Sequence, residues 1–141
     1  YAHNDTSIVG IADSKITNAG TIDFSSAEES IGIDVKNSTV KNTGSLKMGK
    51  KGVALNADGS DITSSGDITL SGNAIAFNLK NLTGRTLNFT SKVTVSGSGN
   101  SVFNLTDTTF DITSSNIIEN LKMVEPNGGY SYFSLNLLHM F

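Results

Sequence analysis

Residues 31–79 read IGIDVKNSTVKNTGSLKMGKKGVALNADGSDITSSGDITLSGNAIAFNL, and the periodicity of this stretch decides the fold. It contains three openings of one kind: Ile31/Ile33/Val35, Val53/Leu55/Ala57 and Ile75/Phe77/Leu79. Apolar residues on every second position mark a strand with one buried face. Outward from this stretch, further copies open at Ser7/Val9/Ile11 and at Ser101/Phe103/Leu105. Successive copies then lie 24, 22, 22 and 26 residues apart. A fixed spacing of this size is the signature of a repeat architecture.

Two residues beyond each opening stands Asp13, Asn37, Gly59, Asn81 or Asp107. Asp, Asn and Gly are the residue types that enter the left-handed backbone region at low cost. The column therefore predicts a sharp bend at one phase of every repeat. A single apolar position follows: Ile16, Val40, Ile62, Leu87 and, with slippage, Phe110 or Ile112. Four residues later comes a second bend column of Gly20, Gly44, Gly66, Ser91 and Asn116. Alternating pairs resume at Ile22/Phe24, Leu46/Met48, Ile68/Leu70 and Val93/Val95, and a looser third bend closes the cycle. Gly, Asn, Ser and Thr dominate between these positions, and they disfavour helix.

Three strands and three bends per repeat can form either a meander or a coil. Only a coil gives equivalent residues a reason to repeat in type, because they stack about 4.8 Å apart on neighbouring rungs. The sequence thus predicts an all-β, right-handed, single-stranded parallel β-helix of about five to six coils. Each coil has 22–26 residues and three short strands. The expected core column is Ile11, Ile33, Val35, Leu55, Phe77, Leu79, Phe103 and Leu105. Residues 1–6 read as a flexible arm, 7–116 as the repeats, and 117–141 as a final partial coil or cap, in which Phe133, Leu135, Leu137, His139 and Phe141 alternate.

The fourth copy carries three additional residues, placed at Thr83, Gly84 and Arg85, and a closing bend at 96–100 about two residues longer than its counterpart. Insertions in a solenoid leave the rod as loops, and loops on a rigid scaffold carry binding. Arg85 is the only arginine of the chain. Thr83–Arg85 is therefore the candidate contact loop.

Composition bounds the remaining possibilities. Only 16% of the 141 residues are charged, the net charge is −3, and Cys is absent. These values exclude a disulfide framework, a Cys-ligated metal and thiol catalysis, and they give no basic footprint for nucleic acid. No apolar run is long enough for a membrane helix. No catalytic residue, metal ligand or cofactor fingerprint is expected. The acids Asp58 and Asp61 read as turn formers, and the calcium-roll repeat and phosphate-binding motifs do not occur. Thr17, Thr63 and Thr113 occupy related phases, as in Thr-ranked ice-binding faces, but Lys41 and Asn88 interrupt the rank.

The recurrent elements, an apolar–small–apolar opening (IGI, VAL, IAF), an NS or DG bend and then N-x-G followed by alternating apolar residues, carry a family resemblance. Over about residues 7–113 the chain resembles passenger-domain repeats of very large type V autotransporter adhesins of Gram-negative bacteria. It is most similar to the fusobacterial type. The resemblance implies a β-helical stalk at the cell surface, anchored through a region outside this chain. It also implies attachment to a host-cell receptor protein or glycan, or to another bacterium. Two other functions are compatible with the pattern: a solenoid that stacks end to end into a filament, and a polysaccharide-active β-helix enzyme.

Overall fold

The computed structural model describes residues 8–108 and the strand backbones of 122–124 and 135–137. Every regular element in them is a strand. The first coil comprises β1 (Ile8–Ile11), β2 (Lys15–Asn18) and β3 (Ile22–Phe24). The second comprises β4 (Ile31–Lys36), β5 (Thr39–Asn42) and β6 (Leu46–Met48), and the third β7 (Val53–Asp58), β8 (Asp61–Ser64) and β9 (Ile68–Leu70). The fourth comprises β10 (Ile75–Lys80), β11 (Leu87–Phe89) and β12 (Lys92–Val95). Beyond these lie β13 (Ser101–Thr106), β14 (Lys122–Val124) and β15 (Leu135–Leu137).

Each strand pairs in parallel with its counterpart one coil away, giving sheets ordered β1-β4-β7-β10-β13-β15, β2-β5-β8-β11 and β3-β6-β9-β12-β14. The chain is thus a β-solenoid with three strands per coil. Four coils are complete among the described residues, fewer than the five to six expected from the sequence. β13, β14 and β15 extend two of the three sheets past them.

The columns read from the sequence are stacked rungs. Val35, Ala57 and Leu79 are register partners, as are Ile33, Leu55, Phe77 and Phe103. All of these side chains are buried, and so are Ile22, Phe24, Leu46, Met48, Ile68, Leu70, Val93 and Val95 on the third sheet. Phe77 stacks on Phe103 with ring centroids 5.3 Å apart, and Phe89 meets both rings at 4.6 and 5.2 Å. Offset and edge-on ring contacts of this kind add to the area buried.

The first copy departs from its expected register. Ile8, not Val9, pairs with Ile33, and Ile11 pairs with Lys36 rather than Val35. Val9 is 54% exposed, although its phase in the sequence placed it inward. The physical reason is an extra residue at the first bend. Two positions, Ala12 and Asp13, have left-handed φ where later coils have one. A one-residue slip moves a strand's side chains to the opposite face. Ile11 therefore aligns with the Lys36–Asp58–Lys80 column and not with the core column, while its side chain lies outside the described residues. So do Ser7, Phe110, Ile112, Asn116, Phe133, His139 and Phe141.

The closing bend of the fourth coil is one residue longer than its counterpart, not two. Val95 pairs with Leu70 but Ser101 pairs with Ile75, so the offset rises from 25 to 26 across it. Asn100 fills this bend. Its Oδ1 accepts the N–H groups of Gly72 (2.9 Å) and Ala74 (3.2 Å), and its Nδ2 donates to the Ser96 carbonyl (3.0 Å).

Candidate functional site

The first-bend column lies at one corner of the solenoid, between the sheet that begins with β1 and the sheet that begins with β2. All five of its residues have left-handed φ: Asp13 (59°), Asn37 (49°), Gly59 (58°), Asn81 (55°) and Asp107 (48°). Just inside the corner, small hydroxyl side chains satisfy the turned backbone. Ser60 Oγ accepts the Ser38 N–H at 3.0 Å and donates to the Asp58 carbonyl at 2.9 Å. Thr108 Oγ1 accepts the Leu82 N–H at 2.7 Å. The corner therefore repeats from coil to coil with its buried polar groups paired.

Along the outside of this corner runs an open groove of about 570 Å³. The first coil contributes Asp13, Ser14 and Lys15, and the second Asn37, Ser38 and Thr39. The third contributes Gly59 and Asp61, and the fourth Asn81, Thr83 and Arg85. None of these side chains is apolar. Among them Asp13 and Asp61 balance Lys15 and Arg85 in formal charge.

One end of the groove is built by the insertion. Asp58 pairs with Lys80 at an offset of 22, whereas Ile62 pairs with Leu87 at an offset of 25. The three additional residues fall between the two pairings. Leu82 stays buried beneath them, and Thr83, Gly84 and Arg85 are exposed. The Arg85 N–H donates to the Leu82 carbonyl at 3.0 Å, and Gly84 has φ 79°. A positive φ at the third position is the requirement of a type II turn, and glycine meets it without strain. The exit of the turn is pinned where Asp61 Oδ1 accepts the Thr86 N–H at 2.9 Å. Asp61 is thus tied to the loop backbone, in keeping with its reading as a turn former. The guanidinium of Arg85 makes no hydrogen bond or ion pair within the described residues.

The second bend column has a different origin. Gly20, Gly44 and Gly66 do not have left-handed φ. A Cβ on Gly66 would lie 1.8 Å from the Gly44 carbonyl oxygen, and one on Gly44 would lie equally close to the Gly20 oxygen. Here successive coils touch backbone to backbone, and glycine is required by contact.

Three features escaped the sequence reading. The inward face of the second sheet carries Asn18, Asn42, Ser64 and Phe89 beside its apolar column. Asn18 Nδ2 donates to Asn42 Oδ1 at 2.8 Å, and Ser64 and Ser91 share a bond of 2.7 Å between buried hydroxyls. Phe89 is fully buried, and its alternation with Leu87 was the available signal. On the first sheet, an amide ladder climbs the outer face. Asn56 donates to Asp34 (2.9 Å), Asn78 to Asn56 (2.7 Å) and Asn104 to Asn78 (2.6 Å).

Among the described residues, no group of three or more His, Asp or Glu could hold a metal ion. No helix there is long and apolar enough to cross a membrane. No protein family, curated protein or solved structure matches the chain.

Proposed function

We propose that this chain is a structural and adhesive segment of a surface-displayed autotransporter adhesin. In this reading it is extracellular, part of a stalk anchored to the outer membrane through another region. Its partner is a host-cell receptor protein or glycan, or a neighbouring bacterium. It performs no catalysis, and its work is spatial. Stacked coils hold an outward face at a fixed distance, and each rung shares load with the next through backbone hydrogen bonds. The observation that supports this best is the column-locked parallel register from β1 to β13. It forms a stiff rod whose outward residues can vary without disturbing the interior. The passenger-type repeat elements in the sequence point the same way.

Beads coated with the folded chain are expected to adhere to epithelial cells or to partner bacteria, and heat-unfolded chain on the same beads is not. Equal adherence of both preparations, or none from either, would overturn the proposal. End-to-end assembly is the second reading. It is favoured by the open edges of β1, β2 and β3, which pair on one side only among the described residues. Concentration-dependent filaments in electron micrographs would select it. A polysaccharide-active enzyme is the least supported reading, because the groove's two acids are spread over the first and third coils.

A further inference from the structure

The groove along the first-bend corner is open and bounded at its fourth-coil end by the inserted turn. Its lining restricts what it could hold. With no apolar or aromatic side chain in its wall, it offers an apolar peptide side chain nothing to pack against. β2, β5 and β8 are bonded to their neighbours within the sheet, so β5 and β8 present no free edge for a peptide to extend by strand addition. What the wall does present is hydroxyl, amide and carboxylate groups on successive coils, with the Lys15 ammonium at the first-coil end and one guanidinium at the fourth-coil end.

We propose that this groove binds an extended saccharide carrying an isolated acidic group. The sugar hydroxyls would bond to Asn37, Thr39 and Asn81, and the acidic group would pair with Arg85. This deepens the adhesive reading and rests on it for biological purpose, but not for its test. A planar guanidinium matches a carboxylate or sulfate in a two-point hydrogen bond, which a lysine ammonium cannot reproduce. Arg85 is exposed and its backbone is held on a closed turn, while its guanidinium is not bonded to any described residue. Asp13 beside Lys15 on the first coil and Asp61 on the third share the groove, so a densely charged polyanion would meet a carboxylate at both levels. One acidic group, placed at the inserted turn, would not.

The test is biosensor binding of the whole chain to immobilised sialylated and single-uronate oligosaccharides. Their neutral counterparts, heparin and poly-glutamate serve as comparison probes. The acidic oligosaccharides should bind at least tenfold more tightly than the neutral ones, and more tightly than heparin of equal length. Binding should weaken as salt is raised. Arg85→Ala should lower the affinity by about tenfold or more, and Arg85→Lys should recover only part of it, with melting temperature unchanged in both. The proposal fails if the neutral sugars bind equally, if R85A binds like the parent chain, if poly-glutamate outcompetes the sugars, or if no acidic oligosaccharide binds at millimolar concentration. Bead adherence measured on the same proteins separates the two readings. Adherence retained without saccharide binding overturns the groove assignment alone. Saccharide binding without adherence overturns the adhesive reading alone.

Discussion

Gly20, Gly44 and Gly66 occupy one column, but the three sites are not equivalent. Gly66 and Gly44 each rest on the carbonyl of the coil before, whereas among the described residues beyond its chain neighbours no atom lies within 4 Å of the position a Cβ on Gly20 would take. Gly66→Ala is therefore expected to push two coils apart, at a cost of about 2–3 kcal/mol or more. Gly20→Ala should be nearly neutral or slightly stabilising. Thermal melting of the two variants side by side checks this, and equal effects would contradict the backbone contact. Asp23 gives a second test at this scale. The Ser25 hydroxyl and the Ser25 N–H both donate to its Oδ1, and these bonds hold its carboxyl below the usual aspartate range, with Lys47 adding a weaker pull. A depressed folded-state value means that Asp23 stabilises the fold above its unfolded-state pKa, and that this contribution is lost as pH falls through the folded value. An NMR titration should show Asp23 protonating below an ordinary aspartate, and Ser25→Ala should raise its midpoint.

At the scale of the element, the solenoid tolerates added residues where they leave the rod. The turn at Thr83–Arg85 adds three residues between Leu82 and Thr86 without disturbing the pairing of β10 with β7 or of β11 with β8. Deleting 83–85 should return the fourth coil to the spacing of the third, with the melting temperature held or raised, since a shorter closed loop costs less entropy. The same deletion should remove whatever binding the groove supplies. A large loss of stability would mean that the turn braces the stack. The first coil shows the opposite sensitivity. One added residue at Ala12–Asp13 lies inside the path of the rod, and it resets the register of β1 against β4.

Across the whole molecule, stability depends on a narrow interior shared by all coils. Phe77, Phe89 and Phe103 form one buried cluster that links the fourth coil to β13. Phe77→Ala is expected to cost about 3–5 kcal/mol, through lost burial and an unfilled cavity. Because coils contact only their neighbours, that loss should appear first as early unfolding of the coils around the cluster. Hydrogen exchange resolved along the sequence would detect this. Uniform loosening of all coils would point to a more cooperative fold than nearest-neighbour stacking gives.

The sequence by itself determined the coil. Period-2 alternation set the strands, and the recurrence of Asp, Asn and Gly at one phase set the left-handed corner, because few residue types accept that backbone. It also located the inserted turn at Thr83, Gly84 and Arg85, since an insertion shows as a change of spacing. The register of β1 was decided only in three dimensions. Ser7, Val9 and Ile11 alternate as well as the correct set, and a one-residue difference at a bend has no local signature. The buried Asn42 and Ser64, the reason for Gly66 and the groove at the corner likewise required the tertiary structure. Each depends on what the neighbouring coil places opposite a residue, and that neighbour is more than 20 positions away along the chain.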